Sequence, residues 1–163
     1  MRNEELVLLE TAKTAERSRN YAAPFNAWEQ LASMTSRPDY LCKAGRVAEK
    51  LGRWMDSEKA FLDALRVDRT FPLAMVCLGS LFLTRTDGEP STNARTAKAW
   101  LELGVATPSA ISLSFLGAAH NRLGEKRSAI EAFRKAIELD ETDAEAYLNL
   151  GLLFADDGQN EEA

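Results

Sequence analysis

The sequence is poor in the residues that build reactive sites. It has one histidine and two cysteines in 163 residues, and Cys42 and Cys77 lack the CxxC spacing of a metal or redox motif. A single imidazole does not make a metal cluster. No strand followed by a glycine-rich loop is present to cradle a phosphate, and no segment reads as strand. No apolar run approaches the roughly 20 residues needed to span a bilayer. The opening, MRNEELVLLETAK, sets acids among its apolar residues and has no small-residue cleavage site, so it does not read as a secretory signal. Two free, reduced thiols in a cytoplasmic protein are the simplest reading of the cysteines. Together these absences point away from an enzyme and from any cofactor or metal.

Concentrated positive charge is missing too. The net charge is −5. Residues 124–163 hold 11 acids and 4 bases, a balance of −7, and the rest of the chain holds 14 acids and 16 bases, a balance of +2. Neither part carries the basic footprint of a nucleic-acid binder, and the acidic end reads as a solvated face. An apolar share of 45% with 28% charged residues describes a folded, soluble chain rather than a disordered one.

What the chain does have is a spacing. Gly45, Gly79, Gly117 and Gly151 lie in related apolar settings (CKAG, VCLG, SFLG, LNLG), at successive intervals of 34, 38 and 34 along the sequence. A fixed period of about 20 to 50 residues is the mark of a stacked repeat. Stepping along a helix from each glycine gives an apolar stripe: Leu41, Ala44 and Ala48; Met75, Leu78 and Phe82; Leu113, Leu116 and His120; Tyr147, Leu150 and Phe154. A helix-interior glycine costs about 1 kcal/mol relative to alanine, so four at matched places imply close approach by a second helix.

That second helix follows a tight turn. Gly52, Gly124 and Gly158 each stand seven residues after a landmark glycine, where a helix end is expected. Then come EKAFLDALRVD, AKAWLELGVAT and AIEAFRKAIELD, with Phe61, Trp100 and Phe133 in one aromatic slot and Ala64 and Ala136 three residues on. The spacing predicts helix pairs over 38–51 with 54–68, 72–84 with 94–106, and 110–123 with 126–139, then 144–157 with a truncated partner. The longer middle interval is explained by five extra residues in TRTDGEPSTN, a loop over 84–93, and a linker one residue shorter. Trp28 precedes Gly45 by the same interval as Trp100 precedes Gly117, so NAWEQLASMT reads as the second helix of a degenerate leading unit and ELVLLETAKTAERSR as its first. Trp28, Trp54 and Trp100 read as packing residues. His120 reads as packed and hydrogen-bonded, and Asp156 and Asp157 as solvated groups at a helix end.

This pattern resembles the tetratricopeptide repeat. The match is fullest in the last unit, through Tyr147, Leu150, Gly151, Phe154, Gly158 and Ala163, and in the one before it, through Leu116, Gly117, Gly124, Ala129, Phe133 and Ala136. There Glu141 replaces the usual closing proline, which leaves the turn open. The unit with the long loop leans toward the related Sel1-like repeat. The resemblance implies an all-α right-handed superhelical solenoid of antiparallel helix hairpins. It would form one array over 1–163, with a degenerate leading repeat at 5–37, repeats at 38–71, 72–109 and 110–143, and a truncated one at 144–163. The stop at Ala163 reads as a cut from a longer array.

In that family the first helices line a concave groove that takes a partner's peptide or helix. The groove-facing stripe here would present Arg46, Glu49 and Lys50, then Leu73, Val76, Ser80 and Leu83, then Ile111, Ser114, Asn121 and Arg122, then Leu148 and Leu152. Leu73, Val76, Leu83 and Ile111 would make an exposed apolar strip. The clamp slots that grip a terminal carboxylate hold Cys42, Arg46, Cys77, Ile111 and Phe115, with one base and no Asn. The asparagine-ladder slots hold Lys43, Cys77, Phe115 and Asn149, one rung only. Neither specialisation fits. The resemblance thus implies a protein-interaction scaffold without cofactor, its partner a protein or peptide rather than nucleic acid or membrane. A regulatory segment of a larger enzyme, and self-association into a homo-oligomer through the unpaired C-terminal helix, stand as alternatives.

Overall fold

The computed structural model describes residues 3–17 and 21–161, with the side chains of 15–17, 22–23 and 156–161 outside that description. Asp156, Asp157 and Ala163, named above, therefore lie outside it. All regular structure among the described residues is helical: α1 (Asn3–Arg17), α2 (Ala22–Thr35), α3 (Pro38–Lys50), α4 (Trp54–Val67), α5 (Pro72–Thr84), α6 (Pro90–Gly104), α7 (Ala110–Arg122), α8 (Lys126–Leu139) and α9 (Ala144–Glu161). None of these helices is long and apolar enough to cross a membrane. The chain forms two compact units, Met1–Leu81 and Phe82–Ala163.

In the first unit, α2 packs on α1 and on α3, and α3 pairs with α4. Its core gathers Phe25, Trp28 and Leu31 from α2 with Tyr40, Ala44, Val47 and Ala48 from α3. Trp28 is fully buried, its ring 5.5 Å from that of Tyr40 at a tilt of 38°. Cations from α3 and its flanks cover the α2 aromatics: Lys43 Nζ lies 4.5 Å from the Trp28 ring centre and Arg53 4.3 Å from that of Phe25.

In the second unit, α7 packs on α6, α8 and α9. Its core holds Leu113 of α7, Ala129, Phe133 and Ala136 of α8, and Ala146 and Leu153 of α9. A Cβ built on Gly117 would lie 2.7 Å from Cε1 of Phe133, and one on Gly45 would lie 2.7 Å from Cδ1 of Phe61. Only glycine lets these rings lie against the helix backbone. Close helix approach is therefore the reason for two of the four landmarks.

The turns inside the α3–α4 and α7–α8 hairpins share one design. The N–H of Gly52 donates to Glu49 O at 2.9 Å and that of Arg53 to Ala48 O at 2.9 Å. In the later hairpin Gly124 donates to Asn121 O at 3.0 Å and Glu125 to His120 O at 3.0 Å. This is the Schellman pattern, which needs a left-handed residue, and the glycines supply it with φ of 69° and 74°. The turns after α4 and α8 also match each other. Asp68 accepts from the Thr70 N–H at 2.9 Å, and Asp140 does the same from Thr142. The turn at Glu141 therefore forms without proline, and the Thr142 donors hold the Asp140 carboxyl below its usual range.

Three sequence expectations are corrected here. First, α6 starts at Pro90, well before residue 94, because Glu89 caps it by accepting from the Ser91 N–H at 3.0 Å and the Thr92 N–H at 2.6 Å. The connecting loop shrinks to 85–89, held by Arg85 on Asp87 at 2.6 Å and by Gly88 at φ 84°. Second, that start rotates the helix: Ala97, Leu101 and Gly104 face inward, and Trp100 is only half-buried. Leu101, not Trp100, holds the slot of Phe61 and Phe133. The insertion is then six residues (Phe82 to Leu101 is 19, against 13 elsewhere), and the following linker is two shorter. Third, α9 runs on through Gly158 to Glu161, so the helix does not end at Gly158.

Candidate functional site

The first helices are α3, α5, α7 and α9, and the two units present them separately. In the first unit, Arg46 is exposed and Glu49 half-buried on α3, while α5 contributes exposed Leu73 and half-buried Val76 and Ser80. Arg46 and Glu49 fall one and two helical turns after the buried Cys42. Both act electrostatically on Cys77 of α5. Lys50 is turned elsewhere: its Nζ lies 4.9 Å from the centre of the Tyr21 ring. It covers an aromatic of the leading hairpin.

The second unit carries the larger apolar exposure. Ile111 on α7 is 65% exposed, and Leu148 and Leu152 on α9 are 64% and 59% exposed. Helices α7 and α9 touch. At their base a cleft of ≈ 250 Å³ is lined by Ile111, Phe115, Asp140, Thr142, Asp143 and Glu145, among others. The cleft pairs apolar walls with three carboxylates.

Two members of the expected stripe are not on the surface. Leu83 is 6% exposed and Ser114 is 6% exposed. Ser114 turns inward because its hydroxyl donates to Asp143 Oδ2 at 2.5 Å, while Asp143 Oδ1 accepts from the Ala146 N–H at 3.0 Å to cap α9. Ser114 thus ties α7 to the start of α9. Leu83 and Arg122 are also linked, since the Arg122 guanidinium donates to the Leu83 carbonyl. Arg122 and Asn121 keep exposed surface at the end of α7. The exposed apolar strip expected from Leu73, Val76, Leu83 and Ile111 therefore loses Leu83, whose side chain is buried and whose backbone is engaged.

Other polar groups organise the second unit. Lys98 of α6 reaches Glu125 at 2.7 Å, and His120 Nδ1 lies 2.5 Å from the same carboxylate. The Lys98 contact first, then the His120 one, draws the Glu125 carboxyl below its usual range. His120 is thus hydrogen-bonded at the helix end, as its place on the apolar stripe suggested. The Ser109–Ser112 capping box opens α7: the Ser112 N–H donates to Ser109 Oγ at 3.1 Å, and the Ser109 N–H to Ser112 Oγ at 2.9 Å. The Ser-x-x-Ser spacing could have flagged it in the sequence. Cys42 of α3 and Cys77 of α5 are both buried.

A family model described as TPR repeat matches residues 117–163. Comparison with curated protein sequences finds no match. Among solved structures, the chain is similar to MamA 41-end from Desulfovibrio magneticus RS-1, with a TM-score of 0.80 at 19% identity over 99% of this chain and 90% of that one. It is similar to TTC0263, a thermophilic TPR protein in Thermus thermophilus, with a TM-score of 0.77 at 19% identity over 97% and 85%. The first TPR of Spaghetti (RPAP3) bound to the HSP90 peptide SRMEEVD aligns with a TM-score of 0.66 at 18% identity over 79% and 96%. At these identities the likeness establishes the fold.

Proposed function

Because this chain is a tetratricopeptide-repeat helical solenoid, we propose that it is a protein-interaction scaffold that binds a partner's peptide or helix on its first-helix faces. The observation that carries the reading is the exposed apolar surface of Ile111, Leu148 and Leu152 on the touching helices α7 and α9. Contiguous exposed apolar surface rimmed by polar groups is what interaction sites leave uncovered. An amphipathic segment seated there follows the helix-in-groove or extended-peptide mode. Each buried aliphatic anchor contributes roughly 1.5–3 kcal/mol before ordering costs.

The cleft chemistry narrows the ligand. Asp140, Asp143 and Glu145 beside Ile111 and Phe115 favour a segment with apolar anchors followed by basic residues. A structural neighbour holds the acidic peptide SRMEEVD, which supports peptide binding as a mode for the fold. The carboxylates here disfavour an acidic ligand at this cleft. In the first unit the surface offered is Arg46, Glu49, Leu73, Val76 and Ser80, a mixed face for a second contact, with Lys50 set aside on Tyr21.

The test is capture of partners by wild type and by Ile111→Glu/Leu148→Glu, with Leu73→Glu/Val76→Glu in parallel. Helicity should stay near wild type, because Ile111, Leu148 and Leu73 are exposed. Bound proteins should be lost from the first variant. Retention of every partner by both variants would sink the groove reading.

A second reading, self-association, rests on the outer stripe of α9. Nothing lies within 4 Å of a Cβ built on Gly151, and Tyr147 and Phe154 are about half exposed. A second copy covering that stripe would give concentration-dependent sedimentation that Phe154→Asp abolishes.

A further inference from the structure

We propose that the occupant of the α7–α9 cleft is a second copy of this chain, which inserts the turn between its α3 and α4. The proposal rests on the groove reading of that cleft and adds the identity of what fills it. The cleft asks for apolar anchors beside positive charge, and the turn at 50–55 carries both. Leu51 is 37% exposed, and Met55, at 71%, has the greatest exposure of any large apolar side chain among the described residues. Lys50 and Arg53, on either side of Leu51 and Gly52, are exposed as well. The matched turn of the second unit shows that folding does not require these residues. Counting from Gly52 and Gly124, Arg127 takes the place of Met55 and Glu125 that of Arg53. Leu123, in the place of Leu51, is half-buried. Arg122, in the place of Lys50, donates to the Leu83 carbonyl, and Glu125 is held by Lys98 and His120. The later turn thus spends its charges inside its own unit.

The earlier turn presents its charges outward. Lys50 Nζ lies 4.9 Å from the Tyr21 ring centre and Arg53 4.3 Å from that of Phe25. Arg53 Nε donates to Asp56 at 2.7 Å, and the Arg53 side chain stays 46% exposed. Contact with a ring fixes a cation without neutralising it, so the turn offers its charges already in place. The cleft supplies the complement. Ile111 and Phe115 wall a space of ≈ 250 Å³ beside Asp140, Asp143 and Glu145. Leu148 and Leu152 continue that surface from Glu145 in steps of three and four along α9. No Lys or Arg follows Lys135 in the sequence. Lys135 itself pairs with Glu131 at 2.7 Å, and Arg134 lies over the Phe154 ring. Unbranched Met55 adapts to an irregular apolar gap, while Lys50 and Arg53 answer the carboxylate rim. The two surfaces differ, so the contact is heterologous. It is also distinct from the Tyr147–Phe154 stripe of α9.

The experiment is sedimentation of the full chain over rising concentration at low salt, beside two variants whose folding circular dichroism checks. The turn variant is Lys50→Glu/Met55→Glu, and the cleft variant is Ile111→Glu/Leu148→Glu. Wild type should associate, and more weakly as salt is raised. Each variant alone should lose about 100-fold or more of the association constant. An equimolar mixture of the two should restore a dimer, because one supplies the cleft and the other the turn. In wild type, amide protection should rise with concentration at 50–55 and along α9, a readout that needs no variant. A monomeric wild type, or a turn variant that associates like wild type, would overturn the proposal. The groove reading survives that result if the cleft variant still loses captured partners. A cleft variant that associates like wild type and keeps every captured partner would overturn both. A mixture that stays monomeric would exclude the pairing of turn with cleft.

Discussion

Gly117 and Gly151 stand at the same place in successive repeats, and their surroundings are opposite. Gly117 lies under the ring of Phe133, which is fully buried between α7 and α8. Gly151 faces open space on α9, flanked by exposed Leu148, Leu152 and Phe154. A repeat residue is thus not worth a fixed energy. Its value depends on whether a side chain of a neighbouring helix packs against it, as expected of a stack whose stability sums neighbour contacts. The helix-interior glycine in α7 permits a contact that offsets its cost, while in α9 the cost stands alone.

The largest effect should come from removing the ring that gives Gly117 its purpose. Phe133→Ala empties a fully buried site and should cost about 3–5 kcal/mol, read as the loss of denaturant midpoint in urea unfolding. Next is the reverse insult: Gly117→Leu overpacks the α7–α8 contact and should cost roughly 1–3 kcal/mol or more. An unchanged melting temperature there would mean that the two helices are not paired as described.

A smaller, stabilising change compares the α4 and α8 slots. Ser57 of α4 is fully buried with no hydrogen-bond partner for its hydroxyl, whereas the equivalent position in α8 is Ala129. An unsatisfied buried hydroxyl costs about 1–3 kcal/mol, so Ser57→Ala should raise stability by about 1 kcal/mol. A loss in thermal unfolding would point to an unseen partner. The smallest effect concerns the Glu89 cap of α6. Donors from Ser91 and Thr92 hold its carboxyl at about 2, below the ordinary 4.5. A depressed carboxylate stabilises the fold above its unfolded value and loses that contribution as pH falls through its folded one. Protection of the Ser91 and Thr92 amides, taken relative to the intrinsic exchange rate at each pH, should therefore fall between about pH 4.5 and pH 2, and Glu89→Gln should show weaker protection at neutral pH with less of this change.

Much of this was legible in the chain. The glycines seven residues after the landmarks announced the turns at Gly52 and Gly124, because a left-handed C′ position has a strong residue preference. The aromatic slots at Phe61 and Phe133 followed from helical spacing. The α6 register was misread because counting aromatics favoured Trp100, while the helix phase is set upstream by the Glu89 cap and Pro90. Surface exposure was the least legible property. Stepping along the helix puts Leu83 and Ser114 on an outer stripe, but burial depends on neighbours such as Asp143 that come from outside the helix.

The central claim, that partner contact and not repeat position sets the energy of each landmark glycine, is tested by one paired measurement. Thermal unfolding of Gly117→Ala and Gly151→Ala should move in opposite directions. The first should fall, because its Cβ meets the Phe133 ring at 2.7 Å. The second should rise, by about 0.5–1 kcal/mol, because alanine is the better helix residue where nothing is displaced. Shifts of the same sign in both variants would contradict the account.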